Sequence, residues 1–368
     1  MKRKIFIALL CALLSISSLS ACKGSSSEEA SSDAVMTTEI ETTTEETTTE
    51  ETTEPEPEGI MNPLTGIYDF SQAAVGKRPV AVMVNNIYDA MPQYGTSSAD
   101  IVFELPVEGM QTRLMCLYGD YTAVPYIVSV RSFRYYFAPI ACGFDAFYVH
   151  WGKDESVSDY YYSLDWDTFD GINGSVLFGR DQGRLNQGYN LEHTSYFDGT
   201  LFKDYVESNN YRTDLYEEYT QSNAFNFTER FDEIVLPSGD DCSYIEVNYG
   251  GQSMSMTYDP ESAKYYKYNG SDAQIDASNG KQLSFTNVFV LETSVWTRED
   301  GLHKGLDWTG GNGAYGYYFS QGKVQKIYWS KAGEYSRLRF YDENGDELVV
   351  NRGKSYVTFC PYDSLYFE

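Results

Sequence analysis

The sequence has few histidines, few cysteines and few basic residues. Three histidines occur among 368 residues, and neither a His-Glu-x-x-His run nor a paired-cysteine spacing is present, so the common zinc sites are not indicated. The 27 lysines and arginines stand against 54 acidic residues, which gives a net charge of −27. That balance disfavours nucleic acid as a partner. We therefore expect no metal, no cofactor and no nucleic-acid ligand.

Long apolar runs are also missing, and the N-terminal run of residues 5–14 is too short to span a bilayer. It comes after three basic residues, 2–4, and precedes Leu19-Ser20-Ala21-Cys22, which has the pattern of a lipobox. This order is typical of a lipoprotein signal peptide covering residues 1–22. A diacylglyceryl group on the Cys22 sulfur would anchor the chain to the outer face of a bacterial membrane. An ordinary secretory signal with an incidental cysteine is the alternative.

Residues 23–60 differ sharply in composition from residues 61–368. They are mostly Ser, Thr and Glu, with twelve acidic residues and one lysine. So few apolar side chains cannot offset the entropy of ordering the chain, which predicts a disordered linker. We interpret this segment as an acidic stalk that carries the folded part of the protein away from the membrane.

Four further cysteines lie in the folded part, at Cys116, Cys142, Cys242 and Cys360. Disulfides form readily outside the membrane, but their connectivity does not follow from sequence. Cys116 and Cys142 lie in apolar runs, where two buried thiols or one local bridge would both fit.

Residues 61–230 mix strand and helix patterns. Continuous apolar runs predict strands of a sheet that is covered on both faces. Ser132 is a candidate N-cap for a helix that ends at Cys142. The predicted strands are 78–85, 99–104, 112–118, 126–130 and 146–150, and further helices are predicted at 155–164 and 201–209.

Residues 231–368 have the pattern of β-hairpins. Strand-like runs at 243–248, 254–259 and 287–292 alternate with turn dipeptides. These turns are Asn269-Gly270, Asn279-Gly280, Gln321-Gly322 and Asn344-Gly345. We therefore predict an α+β protein, in which an α/β domain with a largely buried sheet precedes a β-dominated domain.

A resemblance to a known family rests on motifs in both halves of residues 62–365. The sequence resembles the YerB family of bacterial lipoproteins, which have two domains of unknown function. The resemblance implies membrane anchoring and two domains, but it implies no reaction. The motifs are Asn62-Pro63-Leu64-Thr65-Gly66, residues 78–86, Pro92-Gln93, residues 99–104, Glu108-Gly109, Thr112-Arg113, Arg131-Ser132-Phe133-Arg134, His150-Trp151-Gly152, Arg180-Asp181, Arg184, His193, Tyr258-Asp259, Tyr268-Asn269-Gly270, residues 287–290, Gly316 and Trp329-Ser330-Lys331.

Two positions depart from the family pattern. Around the second arginine of the Arg-Ser-x-Arg motif, the family has a small residue and a proline, whereas this sequence has Phe133 and Tyr135. The family's Pro-His-Asn segment is replaced by Glu192-His193-Thr194. If the missing asparagine binds a ligand in the family, the second change implies that this protein binds a different ligand or binds it less well.

Arg131, Ser132 and Arg134 form the most specific polar group of the sequence. Arginines beside the first turn of a helix favour an anionic ligand, because free backbone N–H groups point to it there. Arg113, Arg180 and Arg184 are further candidates for this site. The alternative is that the arginines form structural salt bridges with Glu104 and Glu108.

Catalysis has weaker support in the sequence. His150 and His193 are candidates for a general acid and base, although a histidine bonded to loop backbone would show the same pattern. Glu104 and Glu108 are a candidate carboxylate pair of the kind found in glycosidases. Ser132 lacks the Gly-x-Ser-x-Gly elbow of a nucleophile, and His303 lies in a glycine-rich loop without a partner motif.

These residues support three hypotheses. The first is an envelope lipoprotein that binds an anionic or glycan-like ligand, such as a cell-wall polymer, through its N-terminal domain. The second is an envelope hydrolase or transferase that uses His150 or His193, and the third is a scaffold for another envelope protein. The spatial arrangement of the arginines and histidines discriminates among them.

Overall fold

The computed structural model describes residues 57–220, 222–311 and 313–368. The predicted signal peptide, the lipidation site at Cys22 and the linker up to residue 56 lie outside the described residues. Within the described ranges no helix is long and apolar enough to cross a membrane.

Strands dominate the described chain, and its helices are short. The α-helices are α1 Ala138–Cys142, α2 Ser158–Ser163, α3 Gln182–Asn186, α4 Phe202–Ser208 and α5 Glu217–Thr220. Short 3-10 helices cover Gln72–Ala74, Tyr88–Ala90, Thr96–Ser98, Glu108–Met110, Tyr135–Phe137, Glu155–Val157, Gly171–Asn173, Leu191–His193 and Gly199–Leu201. The strands are β1 Val80–Asn85, β2 Ile101–Pro106, β3 Thr112–Tyr118, β4 Tyr126–Val128, β5 Phe147–His150, β6 Thr168–Asp170, β7 Phe178–Arg180, β8 Ser195–Asp198, β9 Asn226–Phe227, β10 Tyr244–Asn248, β11 Ser253–Asp259, β12 Lys264–Asn269, β13 Asp272–Ala273, β14 Ile275–Asp276, β15 Lys281–Gln282, β16 Ser284–Phe285, β17 Asn287–Thr293, β18 Val295–Thr297, β19 Lys304–Leu306, β20 Tyr315–Ser320, β21 Lys323–Ser330, β22 Arg339–Tyr341, β23 Val349–Val350, β24 Ser355–Pro361 and β25 Leu365–Phe367.

A mixed ten-stranded sheet forms the centre of the molecule, in the order β22-β21-β20-β17-β24-β2-β3-β1-β5-β6. Every residue of β1, β2 and β3 is buried. Alternate residues enter two separate hydrophobic cores, since Ala81 and Met83 belong to one and Val82 and Val84 to the other. The prediction that this sheet is covered on both faces is therefore confirmed.

A second, antiparallel sheet lies against one face of the large one. Its strand order is β13-β12-β11-β10-β25, and β16 also pairs with β12. Ile245 of β10, Met256 of β11 and Tyr265 of β12 share a core with Val82 and Val102 of the large sheet. The other face is covered by an aromatic core that includes Phe133, Phe137 and Phe144.

The large sheet is continuous across the predicted domain boundary at residue 230. The parallel pair of β2 and β24 joins the two halves, with Glu104 beside Thr358. After residue 230 the described ranges contain strands and no α-helix, in agreement with the predicted β-dominated half. The domain division itself stays a prediction.

Most predicted strands and turns lie within two residues of their observed positions. The predicted strand at 112–118 coincides with β3, and the helix predicted at 201–209 contains α4. Turns join β14 to β15 at Gly280 and β20 to β21 at Gly322. All four cysteines of the described ranges are buried free thiols, so the predicted possibility of a local Cys116–Cys142 bridge is not realised.

The predicted helix cap at Ser132 is wrong. Residues 131–134 form no helix, a 3-10 turn begins only at Tyr135, and α1 begins at Ala138. The segment is held by backbone bonds to distant residues, since the Phe133 N–H donates to the Gly152 carbonyl at 2.9 Å and the Trp151 N–H donates to that of Arg131 at 3.0 Å. No helix N-terminus is therefore present at Ser132 to bind an anion.

Candidate functional site

Arg131 lies at the centre of a group of arginines on the N-terminal half. Its N–H donates to the carbonyl of Met83 at 3.0 Å, which places the residue beside β1, two strands from the β6 edge of the large sheet. Arg180 ends β7, and Arg113 belongs to β3. Strands of two sheets thus bring together arginines that are distant in the sequence.

Arg134 and Arg113 are paired with Glu108. Two nitrogens of the Arg134 guanidinium reach the carboxylate, with Nε–Oε1 at 2.7 Å and Nη2–Oε2 at 2.6 Å. Arg113 lies 3.6 Å from the same carboxylate and donates to the carbonyl of Ser132 at 2.7 Å. Burial raises the pKa of Glu108, but the bonds from Arg134 more than offset it and the net pKa is lowered. These two arginines conform to the salt-bridge alternative.

The positive charges of Arg131 and Arg180 are neutralised less fully by neighbouring carboxylates. Arg131 contacts the exposed carboxylate of Glu192 at 3.1 Å, and its Nε is buried without a hydrogen-bond partner. Arg180 donates to the carbonyl of Leu191 at 2.6 Å and lies 4.3 Å over the ring of Trp151. No carboxylate of the described residues lies within ion-pair distance of Arg180. A partly open surface of two guanidinium groups and an indole ring results, which we call the Arg131 patch (Arg131, Ser132, Trp151 and Arg180).

The charges around the Arg131 patch are predominantly positive. Burial, and then the charges of Arg134 and Arg131, lower the pKa of Arg113 to about 9. Burial together with the charge of Arg131 also lowers the pKa of Arg180. Positive charges that destabilise one another in this way favour a bound anion, because an anion would remove the repulsion.

Arg184, which the sequence suggested as a further residue of the anion site, has a different environment. Its side chain is buried and donates to the carbonyls of Ala90 at 3.0 Å, of His193 at 2.9 Å and of Pro92. All three acceptors are backbone oxygens. Arg184 therefore holds the loop around Pro92 in place and does not extend the Arg131 patch.

Glu104 does not meet the arginines, because it points toward the second sheet. Its carboxylate lies 3.0 Å from Nζ of Lys267 in β12, and both side chains are fully buried. The hydroxyls of Tyr356 and Thr112 donate to it at 2.7 and 2.8 Å, and the Asn86 amide donates at 3.0 Å. Glu104 and Glu108 thus serve separate networks, so they do not act as a carboxylate pair.

The buried pair of Glu104 and Lys267 is part of a wider network that the sequence reasoning missed. Lys267 also donates to Oε1 of Gln274 at 2.6 Å, and the Gln274 amide donates to Oδ1 of Asn86 and Oε1 of Gln93 at 2.8 and 2.6 Å. The alternation of β12 is a signal that could have found Lys267, because it lies two residues after the buried Tyr265. The network ties the two sheets together.

His150 is enclosed within the protein. Its Nδ1 lies 2.9 Å from the carbonyl of Gly152 and its Nε2 lies 2.9 Å from the hydroxyl of Tyr161. Burial lowers the pKa of His150, although the charge of Asp170 opposes this. With both ring nitrogens engaged and no exposed surface, His150 positions the chain after β5.

His193 is buried beside the Arg131 patch. Its Nδ1 lies 3.0 Å from the amide nitrogen of Asn85, which therefore donates to it. Its Nε2 is 3.8 Å from the Glu192 carboxylate, beyond hydrogen-bond distance. Burial lowers the pKa of His193, so the ring is neutral at pH 7 and adds no charge to the patch.

His303 meets two carboxylates at the tip of the β18–β19 hairpin. Its Nδ1 lies 2.9 Å from Asp300 and 3.3 Å from Asp154, and these three residues could together offer ligands to a metal ion. The guanidinium of Arg298 already lies 2.9 Å from the Asp154 carboxylate. A cation there would compete with Arg298, so the group is better suited to joining the hairpin to the loop at Asp154.

Comparison with known proteins accounts for both halves of the chain. The model described as "Protein of unknown function (DUF3048) N-terminal domain" matches residues 64–212, and the corresponding C-terminal domain matches residues 245–357. The chain belongs to the DUF3048 family. It is 28% identical to "Putative lipoprotein YerB" of Bacillus subtilis (strain 168) over 312 residues, which cover 81% of this chain and 83% of the relative.

A solved structure of a DUF3048 relative has the same fold. The crystal structure of the YerB protein from Bacillus subtilis matches with a TM-score of 0.71 and 26% identity, covering 83% of this chain and 98% of the other. The resemblance to the YerB family and the α+β prediction are thereby confirmed.

The motifs that carried the resemblance separate into two places in this DUF3048 protein. Asn86, Gln93, Glu104 and Thr112 belong to the buried network around Lys267. Arg131, Ser132, Trp151 and Arg180 form the partly open patch. The first group joins the sheets, and the second group is partly exposed.

Proposed function

We propose that this protein is a lipid-anchored binding protein on the outer face of a bacterial membrane. The lipobox at Cys22 and the similarity to a protein named as a lipoprotein support the anchor. The anchor is tested by growing cells that produce the native chain or the Cys22→Ser variant with labelled palmitate and measuring the label on the purified protein. We expect only the native chain to incorporate labelled palmitate, and equal labelling of both chains would contradict the proposal.

The ligand that the Arg131 patch fits best is an anionic or glycan-like polymer of the cell envelope. The observation that carries this proposal is Arg180, which stacks on Trp151 and lacks a carboxylate partner among the described residues. A guanidinium group recognises phosphate or carboxylate through paired hydrogen bonds, and stacking on Trp151 holds the Arg180 guanidinium in a fixed orientation.

Binding without catalysis agrees with the surrounding residues. His150 has both ring nitrogens engaged, and Glu104 is buried against Lys267. His193 lies within the protein and forms no hydrogen bond to a carboxylate. The alternative hydrolase or transferase activity therefore gains no support from His150 or His193, the two residues proposed as its general base.

The ligand proposal is tested by calorimetry on residues 57–368, which contain both hydrophobic cores. The probes are soluble peptidoglycan fragments and polyphosphate as a simple anionic polymer. We expect Arg180→Gln and Arg131→Gln to weaken binding by about tenfold each, as the loss of a charge-assisted hydrogen bond would.

Arg339→Gln is the matched control, because Arg339 is a surface arginine of β22 that pairs with Glu347. It should bind the probes as tightly as the native protein. Equal binding by all three variants, or no binding of either probe by the native protein, would sink the proposed patch.

A further inference from the structure

A cavity of about 200 Å³ has a lining that shares no residue with the Arg131 patch. Its walls come from the N-terminal segment at Met61 and Leu64, from Phe70 and Val75, and from Phe144. These side chains are apolar, so the cavity offers an apolar ligand a surface that water solvates poorly.

Two cationic side chains line the cavity, and Lys77 is neutralised by Asp214 at 2.6 Å, which leaves Arg337 as the positive charge available to a ligand. The residue is 9% exposed and lines the cavity. Its Nη1 donates to the carbonyl of Ser222 at 2.5 Å, and its guanidinium carbon lies 5.3 Å from the ring centroid of Phe144. Its Nε is buried and has no hydrogen-bond partner.

No carboxylate of the described residues lies within ion-pair distance of Arg337. Burial, and then the charge of Arg339, lower the pKa of Arg337 to about 10. Arg78 shows the opposite arrangement in the same protein, since this buried arginine pairs with Asp145 and Asp167. A buried charge without a counter-ion destabilises the folded protein unless a ligand supplies one.

We propose that this cavity binds a small amphiphile with one anionic group, whose apolar body lies against Leu64, Phe70 and Phe144 and whose head pairs with Arg337. The volume restricts the ligand to a short alkyl chain or a single ring. A carboxylate and a phosphate would both satisfy the free guanidinium N–H, so the head group is an anion of either kind. Because the cavity and the Arg131 patch have no residue in common, either proposal stands if the other fails.

The test measures binding of octanoate, octyl phosphate and octanol to residues 57–368 by calorimetry. The three probes share one chain and differ in the head group. We expect both anions to bind at least about tenfold more tightly than octanol, because only they pair with Arg337. Tighter binding of the phosphate would indicate a lipid-like source, and tighter binding of the carboxylate a fatty-acid source.

Arg337→Met keeps most of the length of the side chain and removes its charge, so it should reduce the affinity for both anions to that for octanol. Arg298→Met is the matched control, because Arg298 pairs with Asp154 and does not line the cavity. It should keep the preference for anions. Equal affinities for octanoate and octanol in the native protein, or an unchanged preference in Arg337→Met, would overturn the proposal.

Val75→Trp gives a second test that leaves Arg337 in place. Val75 lines the cavity and is 45% exposed, so the larger ring fits without disturbing a core. It should abolish binding of all three probes while the melting temperature stays close to that of the native protein. Binding of octanoate that persists in this variant would place the ligand elsewhere and contradict the proposal.

Discussion

Glu104 and Lys267 form an ion pair that is enclosed between the two sheets. Both are fully buried and lie 3.0 Å apart, and hydroxyl and amide groups from both sheets satisfy the remaining oxygens and protons. Burial lowers the pKa of Lys267, and the charge of Glu104 opposes this. Each charge is therefore tolerated because of the other.

Removal of one partner should destabilise the protein more than removal of both. We expect Glu104→Gln and Lys267→Met to lower the free energy of unfolding by about 3–5 kcal/mol each, since each leaves a buried charge unpaired. The double variant should lose clearly less than the sum of the two. Urea unfolding of residues 57–368 measures all three, and additive losses would show that the pair is not coupled.

β24 is the element on which the large sheet depends. It pairs in parallel with β17 on one side and with β2 on the other, and Val357 lies beside both Phe289 and Phe103. Proline has no backbone N–H and is found at sheet edges and not in central strands. A proline in β24 would therefore interrupt the contact between the two halves of the chain.

Val357→Pro should prevent stable folding, as judged by the loss of the cooperative thermal transition in circular dichroism. Leu365→Pro is the matched control, since Leu365 lies in β25 at the edge of the second sheet and its N–H points away from the neighbouring strand β10. The control should keep a cooperative transition. Comparable effects of the two substitutions would show that the position of β24 in the sheet is not decisive.

Local sequence patterns predicted the elements well where residues close together in the sequence determine them. The apolar run of β3 and the Asn-Gly turn at Asn279 needed no distant information. The helix cap at Ser132 failed because backbone bonds to Gly152 keep residues 131–134 non-helical, and such a partner cannot be read from local pattern. For the candidate site, the sequence pattern named the arginines but left their pairing with Glu108 open.

At the scale of the whole molecule, the continuous sheet predicts one folding unit. The two DUF3048 matches end and begin on either side of residue 230, but β24 lies between β17 and β2. The change from mixed strand and helix patterns to hairpin patterns at residue 230 does not indicate this pairing, because the partners of a parallel strand are distant in the sequence.

Residues 57–368 should therefore unfold in a single transition, and the fragment 57–230 should not fold alone. The reason is that β2 loses its neighbour β24 and the core around Val102 loses the second sheet. Calorimetry of the two proteins provides the measurement. The sharp, independent melting of the fragment would contradict this expectation.

The pairing of β2 with β24 also has a consequence for biosynthesis. The hydrogen bond from Thr358 to the carbonyl of Glu104 joins residues 254 positions apart, so at ordinary rates of translation β24 emerges roughly 10–50 s after β2. During that interval the edge of β2 lacks its partner and can pair with another chain. When residues 57–368 are produced without the signal peptide, we therefore expect the chain to be most prone to aggregate before the C-terminal strands appear, and a chaperone that shields β2 should raise the yield of folded protein.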